Sequence, residues 1–196
     1  MSTTRRAFMV FGASALTLGL AGCFTTTPPI TYDLTSASQI PMRRRSSRVV
    51  VITLPVAVQT YDSQRVVVRD VGNMLSYLPE AQLSDTLPRL LQTRLLQTFQ
   101  ASNFPNIGRP DDQLSVDITL ATEIQAFEID VSKGNLATVT INAKLVDERR
   151  GMIFASKTFS SAQPSTTEPA AAAIGGLDIA LRQVMSEILQ WTAQTA

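Results

Sequence analysis

Between Thr138 and Leu145 apolar and polar residues alternate without a break: Val139, Ile141, Ala143 and Leu145 against Thr138, Thr140, Asn142 and Lys144. A period of two puts each set on one face of a pleated strand, so the segment reads as a half-buried antiparallel strand. The same period runs through Leu114, Val116, Ile118 and Leu120 and continues less regularly to Phe127 and Ile129. Lys133-Gly134-Asn135 supplies a turn between the two. Asp147 to Gly151 then reverses the chain, and Met152 to Phe159 returns as a partner strand. Earlier, Val49 to Pro55 is β-branched and nearly continuous, the pattern of a strand covered on both faces. Val66-Val67-Val68 forms a second such run between Arg65 and Arg69, and Met74 to Leu78 a further strand after the turn at Gly72-Asn73. Tyr32-Asp33-Leu34, with apolar residues two apart, suits a short strand near the start.

In two places the period lengthens to three and four. Leu87, Leu91, Leu95 and Phe99 share one helical face, which Leu90 and Leu96 widen. Asp85 is placed to cap this helix, Pro88 falls in its first turn, and Asn103, Pro105 and Gly108 end it. After a polar loop from Gln163 to Pro169, Ile174, Leu177, Leu181, Val184, Ile188 and Trp191 predict a second helix over about 170–191. Stripes of this kind form plain core more often than they line a lipid groove or a self-association seam. The elements together predict a single α+β domain, with two helices packed on one face of a mainly antiparallel sheet.

The N-terminus follows a different logic. Arg5 and Arg6 precede an uncharged apolar stretch from Ala7 to Leu20, too short to span a bilayer comfortably, since a span takes about 20 apolar residues. Leu20-Ala21-Gly22-Cys23 then has the form of a lipobox. Leu20 fills a peptidase pocket, Ala21 and Gly22 are small enough for the cleft, and Cys23 offers the thiol that takes a diacylglycerol. The expected organisation is a cleaved signal over 1–22, a lipidated N-terminus and basic tether over 23–48, and a periplasmic α+β domain over 49–196. Phe24 to Ile30 reaches at most about 25 Å when extended, keeping the domain close to its membrane. Phe24 is also not the aspartate that retains lipoproteins at the inner membrane in many enteric bacteria, so the expected location is the periplasmic face of the outer membrane. Thr4-Arg5-Arg6-Ala7-Phe8-Met9 resembles a twin-arginine export signal, although the general secretory route accounts for the same residues.

Composition then removes function classes. The 196-residue chain carries 17 Lys and Arg against 16 Asp and Glu, and loses Arg5 and Arg6 with the signal, so nothing suggests a general nucleic-acid binder. Histidine is absent, which removes Ser-His-Asp and Cys-His catalysis and most zinc sites, and no phosphate-binding glycine loop is present. Cys23 is the only cysteine, so no disulfide is available. A carboxylate hydrolase would have to use Asp111-Asp112 or Glu128 and Asp130. Adjacent aspartates in a strand point apart, and the second pair flanks a turn where solvation is the simpler expectation. No catalytic residue, cofactor or metal is therefore expected. Arg43, Arg44, Arg45 and Arg48 form a basic run most simply read as a solvated loop. Its sharper reading is contact with anionic head groups or with an acidic partner surface.

The order and spacing of several of these segments resemble one family. Tyr32-x-Leu34 shortly after the lipobox, Arg65-Val66-Val67-Val68-Arg69, Tyr77-Leu78 leading through Asp85 into Leu87-Pro88-Arg89-Leu90-Leu91-Gln92, and the helix from Leu181 to Trp191 resemble the PqiC-like ABC-type transport auxiliary lipoproteins. Leu83 departs from the tryptophan usual in that family just before the helix. The resemblance implies an outer-membrane lipoprotein, palmitate among its acyl chains, that serves envelope integrity. Its implied partners are an inner-membrane ABC transporter and a mammalian-cell-entry (MCE) domain protein that carries lipid across the periplasm. It leaves homo-oligomer formation open. The competing reading is a structural envelope-assembly or anchoring lipoprotein unrelated to lipid transport.

Overall fold

The computed structural model describes residues 28–41 and 46–196. Its frame is a meander of three long strands: β8 (Ile118–Asp130), β9 (Leu136–Asp147) and β10 (Met152–Pro164), each antiparallel to the next. Alternation decides their faces. Ala137, Val139, Ile141, Ala143 and Leu145 are buried, while Thr140 and Asn142 on the opposite face bond Ser160 and Thr158 of β10. Gly134 closes the β8–β9 turn at φ 85°, a conformation that strains any residue with a Cβ.

The other edge of β8 is shared by three short strands laid end to end and all parallel to it: β2 (Val50–Ile52), β3 (Val56–Ala57) and β4 (Val67–Arg69). Pro55 separates the first two, because a residue without N–H cannot extend the ladder. All three residues of β2 are buried, as a continuous β-branched run requires. β5 (Leu75–Tyr77) pairs antiparallel with β4, and β7 (Ile107–Gly108) runs parallel beside β2. β1 (Ile30–Tyr32) and β6 (Ala81–Leu83) form a separate parallel pair. The sheet is thus mixed, where the meander alone predicts a mainly antiparallel one. The parallel pairings are only two or three residues long, too short to leave a pattern in sequence.

Two helices, α1 (Leu87–Ala101) and α2 (Ala170–Thr195), cover the apolar face. Their stripes enter the core completely: Leu87, Leu91, Leu95 and Phe99 from α1, and Ile174, Leu177, Leu181, Val184 and Ile188 from α2. Trp191 stacks edge-on against Phe159 of β10 with ring centroids 5.6 Å apart. Gly176 allows the closest approach of helix and sheet, since a Cβ there would stand 3.1 Å from that of Ala137 and 2.8 Å from the Ser165 hydroxyl.

Three local expectations need correction. Thr86, not Asp85, occupies the N-cap of α1, and the Asp85 carboxylate accepts from the Thr86 N–H at 2.7 Å instead of from the helix. Leu114 and Val116 precede β8 rather than beginning it. A short 3₁₀ turn at Pro110–Asp112 and a left-handed Gln113 swing the chain before the strand starts, which leaves Leu114 exposed. The short strand expected at Tyr32-Asp33-Leu34 lies earlier, at Ile30–Tyr32, and the chain after it packs as a strap with Leu34 and Ala37 buried. This strap crosses both helices. Thr35 bonds the Asp178 carboxylate through its N–H (2.6 Å) and hydroxyl (2.7 Å), and the N–H groups of Ala37 and Ile40 bond the hydroxyls of Thr98 and Ser102 at 3.0 Å.

Candidate functional site

Leu20, Ala21, Gly22 and Cys23 lie outside the described residues, as do Arg43, Arg44 and Arg45. Pro28, the first residue described, leads directly into β1, which fixes the end of the molecule nearest the N-terminal segment expected to act as its tether. Ile30 shares a cleft of about 600 Å³ with Pro79, Glu80 and the loop that opens α2. That loop continues from β10 and is held by the Ser165 N–H bonding the Asn135 carbonyl in the β8–β9 turn. The tether end therefore contains the start of β1, the β8–β9 turn and the β10–α2 loop.

The far end is chemically different. There the Asp147–Gly151 reversal presents Arg149 and Arg150, followed by the exposed Met152, Ile153 and Phe154. Arg48 belongs to this end. Its guanidinium bonds Asp147 at 3.1 Å and lies over the Phe154 ring at 5.6 Å. Burial opposes ionisation of Asp147, but the Arg150 backbone N–H and Arg48 outweigh it and hold the carboxyl below the usual carboxylate range. A β-bulge between Ile153 and Ala155 interrupts the two-residue alternation here. Thirteen residues of β8 separate the two ends, about 40 Å at strand spacing.

Of the carboxylates that a hydrolase would need, Glu128 and Asp130 are committed to ion pairs. Glu128 and Asp130 are not solvated beside a turn, being 5% and 1% exposed. Glu128 Oε1 and Oε2 accept from the Arg69 guanidinium at 2.6 and 2.9 Å, and Oε2 also accepts from the Tyr61 hydroxyl at 2.6 Å. Cross-strand register brings this about: Val67 faces Glu128, so Arg69 lies one diagonal step away on the same face. Burial and the adjacent Glu128 push the Tyr61 phenol up to about 12. Burial also opposes ionisation of Asp130, yet the Lys133 ammonium at 2.8 Å and the Ser132 hydroxyl at 2.6 Å prevail and lower its pKa. Asp112 is occupied in its own turn, accepting from the Arg109 N–H at 2.7 Å. Among the described residues no group of three His, Cys, Asp or Glu could hold a metal, and no helix is long and apolar enough to cross a membrane.

Sequence reasoning missed the Arg69–Glu128–Tyr61 cluster, because its three members come from segments whose pairing the sequence does not announce. The exposed tip of β10 was legible only as the start of a strand.

A small mixed sheet roofed on one side by two helices, with an N-terminal strap across the roof, defines a single α+β domain. The pattern of ABC-type transport auxiliary lipoprotein components matches residues 32–189, and the chain belongs to that family. Among solved structures, protein XCC0632 from Xanthomonas campestris is 26% identical, with a TM-score of 0.77 over 85% of this chain and 96% of that one. A further uncharacterised protein shares the fold at 14% identity and a TM-score of 0.62, over 81% of this chain and 99% of that one. The hypothetical protein CT253 from Chlamydia trachomatis does so at 8% identity and a TM-score of 0.50, over 75% and 97%. No curated protein matches the sequence.

Proposed function

We propose that this auxiliary lipoprotein is anchored through acyl chains on Cys23 to the periplasmic face of the outer membrane and acts without catalysis. In this reading it braces or receives the distal end of an MCE-domain protein whose lipid transport an inner-membrane ABC transporter powers. The observation that carries the proposal is the coincidence of a complete lipobox, Leu20-Ala21-Gly22-Cys23, with membership of the transport auxiliary family over the domain that follows. Two acyl signals at one cysteine hold a protein on a bilayer far more firmly than a single chain.

Arg48, paired within the domain about 40 Å from the tether, suits contact with a partner better than contact with head groups of the anchoring membrane. The exposed Met152, Ile153 and Phe154, ringed by Arg149 and Arg150, are the surface assigned to the MCE-domain protein. They form an apolar centre with a charged rim, the usual composition of an interface. The test is purification of the lipidated protein from its own envelope in gentle detergent, followed by mass spectrometry of proteins and lipids. Recovery of an MCE-domain protein is expected. Recovery of only peptidoglycan-linked or barrel-assembly proteins would favour the structural anchoring alternative and end the transport reading.

A further inference from the structure

The turn between β4 and β5 is built with its apolar residues pointing outward. Asp70 accepts from the Val71 N–H at 2.7 Å, the Asp70 N–H bonds the Met74 carbonyl at 2.8 Å, and Gly72 and Asn73 take left-handed conformations at φ 77° and 61°. This tight turn leaves Val71 65%, Met74 64% and Leu75 46% exposed, at positions where a chain reversal ordinarily carries polar residues. It packs beside the Val131–Lys133 turn at the end of β8, and so belongs to the tether end. Ile30, 61% exposed, adds a fourth apolar side chain at that end.

What covers this surface follows from chain length. Cys23 and Pro28 are five residue steps apart, at most about 18 Å when fully extended. An acylated Cys23 therefore holds the tether end within that distance of the bilayer, while the β10 tip can stand the length of β8 farther away. Exposed Asp70, Glu80 and Glu168 outnumber Lys133 at the tether end, so attraction to anionic lipid does not bring the surface down. Burial of apolar area is left to do so.

We propose that the tether end is a membrane-seating surface, with Ile30, Val71, Met74 and Leu75 entering the interfacial layer of the bilayer that anchors Cys23. The inference rests on the lipid-anchor reading above and adds an orientation: the domain stands end-on, its β10 tip directed into the periplasm.

Acylation consumes the only native thiol, so Met74→Cys, Val71→Cys and, at the far end, Met152→Cys can each be labelled singly with an environment-sensitive fluorophore. The full lipidated protein is reconstituted in phosphatidylcholine vesicles containing doxyl-labelled lipid, after the mass of its N-terminal peptide has established acylation. The expected result is blue-shifted emission and doxyl quenching at positions 71 and 74, unaltered by high salt, with position 152 remaining water-like. Acylated protein with all three labels in water overturns the inference and leaves the anchor standing. A blue shift without doxyl quenching overturns it in favour of a protein covering, such as a second copy of this chain. Loss of quenching in salt overturns the apolar mechanism, and an unacylated N-terminus overturns the anchor reading together with the seating that depends on it. Val71→Cys and Met74→Cys fail independently if either disturbs folding, which circular dichroism reports.

Discussion

Glu128 spends both carboxylate oxygens on Arg69 and shares one with Tyr61, so its role is to hold the end of β4 and the preceding loop onto β8. Removing the carboxylate leaves a partly buried guanidinium with no counter-charge. Glu128→Ala is therefore expected to destabilise the domain by about 3 kcal/mol in denaturant unfolding. Tyr61 adds a pH signature. The native state holds the phenolic proton up to about 12, whereas an unfolded tyrosine releases it near 10, so the native chain binds the proton more tightly. This contribution is complete below about pH 10 and is lost as pH rises toward 12. Tyr61→Phe should lower stability at neutral pH by about 1 kcal/mol and flatten that alkaline decline. An unchanged decline in the variant would show that Tyr61 does not cause it.

At the scale of elements, α2 contains a pair of glycines with opposite expectations. A Cβ at Gly175 meets nothing within 4 Å, while one at Gly176 presses on Ala137. Gly175→Ala is expected to raise stability by about 0.5–1 kcal/mol through reduced backbone freedom in the unfolded chain. Gly176→Val should lower the melting temperature, and equal responses at the two sites would contradict the close helix–sheet contact. The strap gives a second test. Thr98→Ala removes the acceptor of the Ala37 N–H, so hydrogen exchange at Ala37 and its neighbours is expected to accelerate while α2 stays protected. These elements differ in how far sequence revealed them. β9 and both helices were plain, because long periodic stretches bury one face completely. β3, β6 and β7 were not, because two or three residues carry no period. The strap was hidden because its attachment comes from backbone N–H groups meeting Thr98, Ser102 and Asp178 across long separations.

The whole molecule is polarised along its sheet, with apolar turn residues beside the tether and an apolar, basic-rimmed tip at the opposite end. Sequence showed Met74 to Leu78 and Met152 to Phe159 only as strands, and neither surface was legible, since Ile30 and Val71 are brought to one end only by the path of the sheet. Arg48 likewise reads as part of a basic run, and only its pairing with Asp147 places it at the far end. On the proposed reading, a lipid-anchored brace of this shape meets its partner through the β10 tip. The most direct measurement is photo-crosslinking in living cells with a benzoyl-phenylalanine placed at Phe154 of the full-length protein. The account predicts an adduct with an MCE-domain protein, absent when the photoreactive residue is moved to the solvent face of β10 at Thr158. Adducts confined to peptidoglycan-linked or barrel-assembly proteins would contradict it.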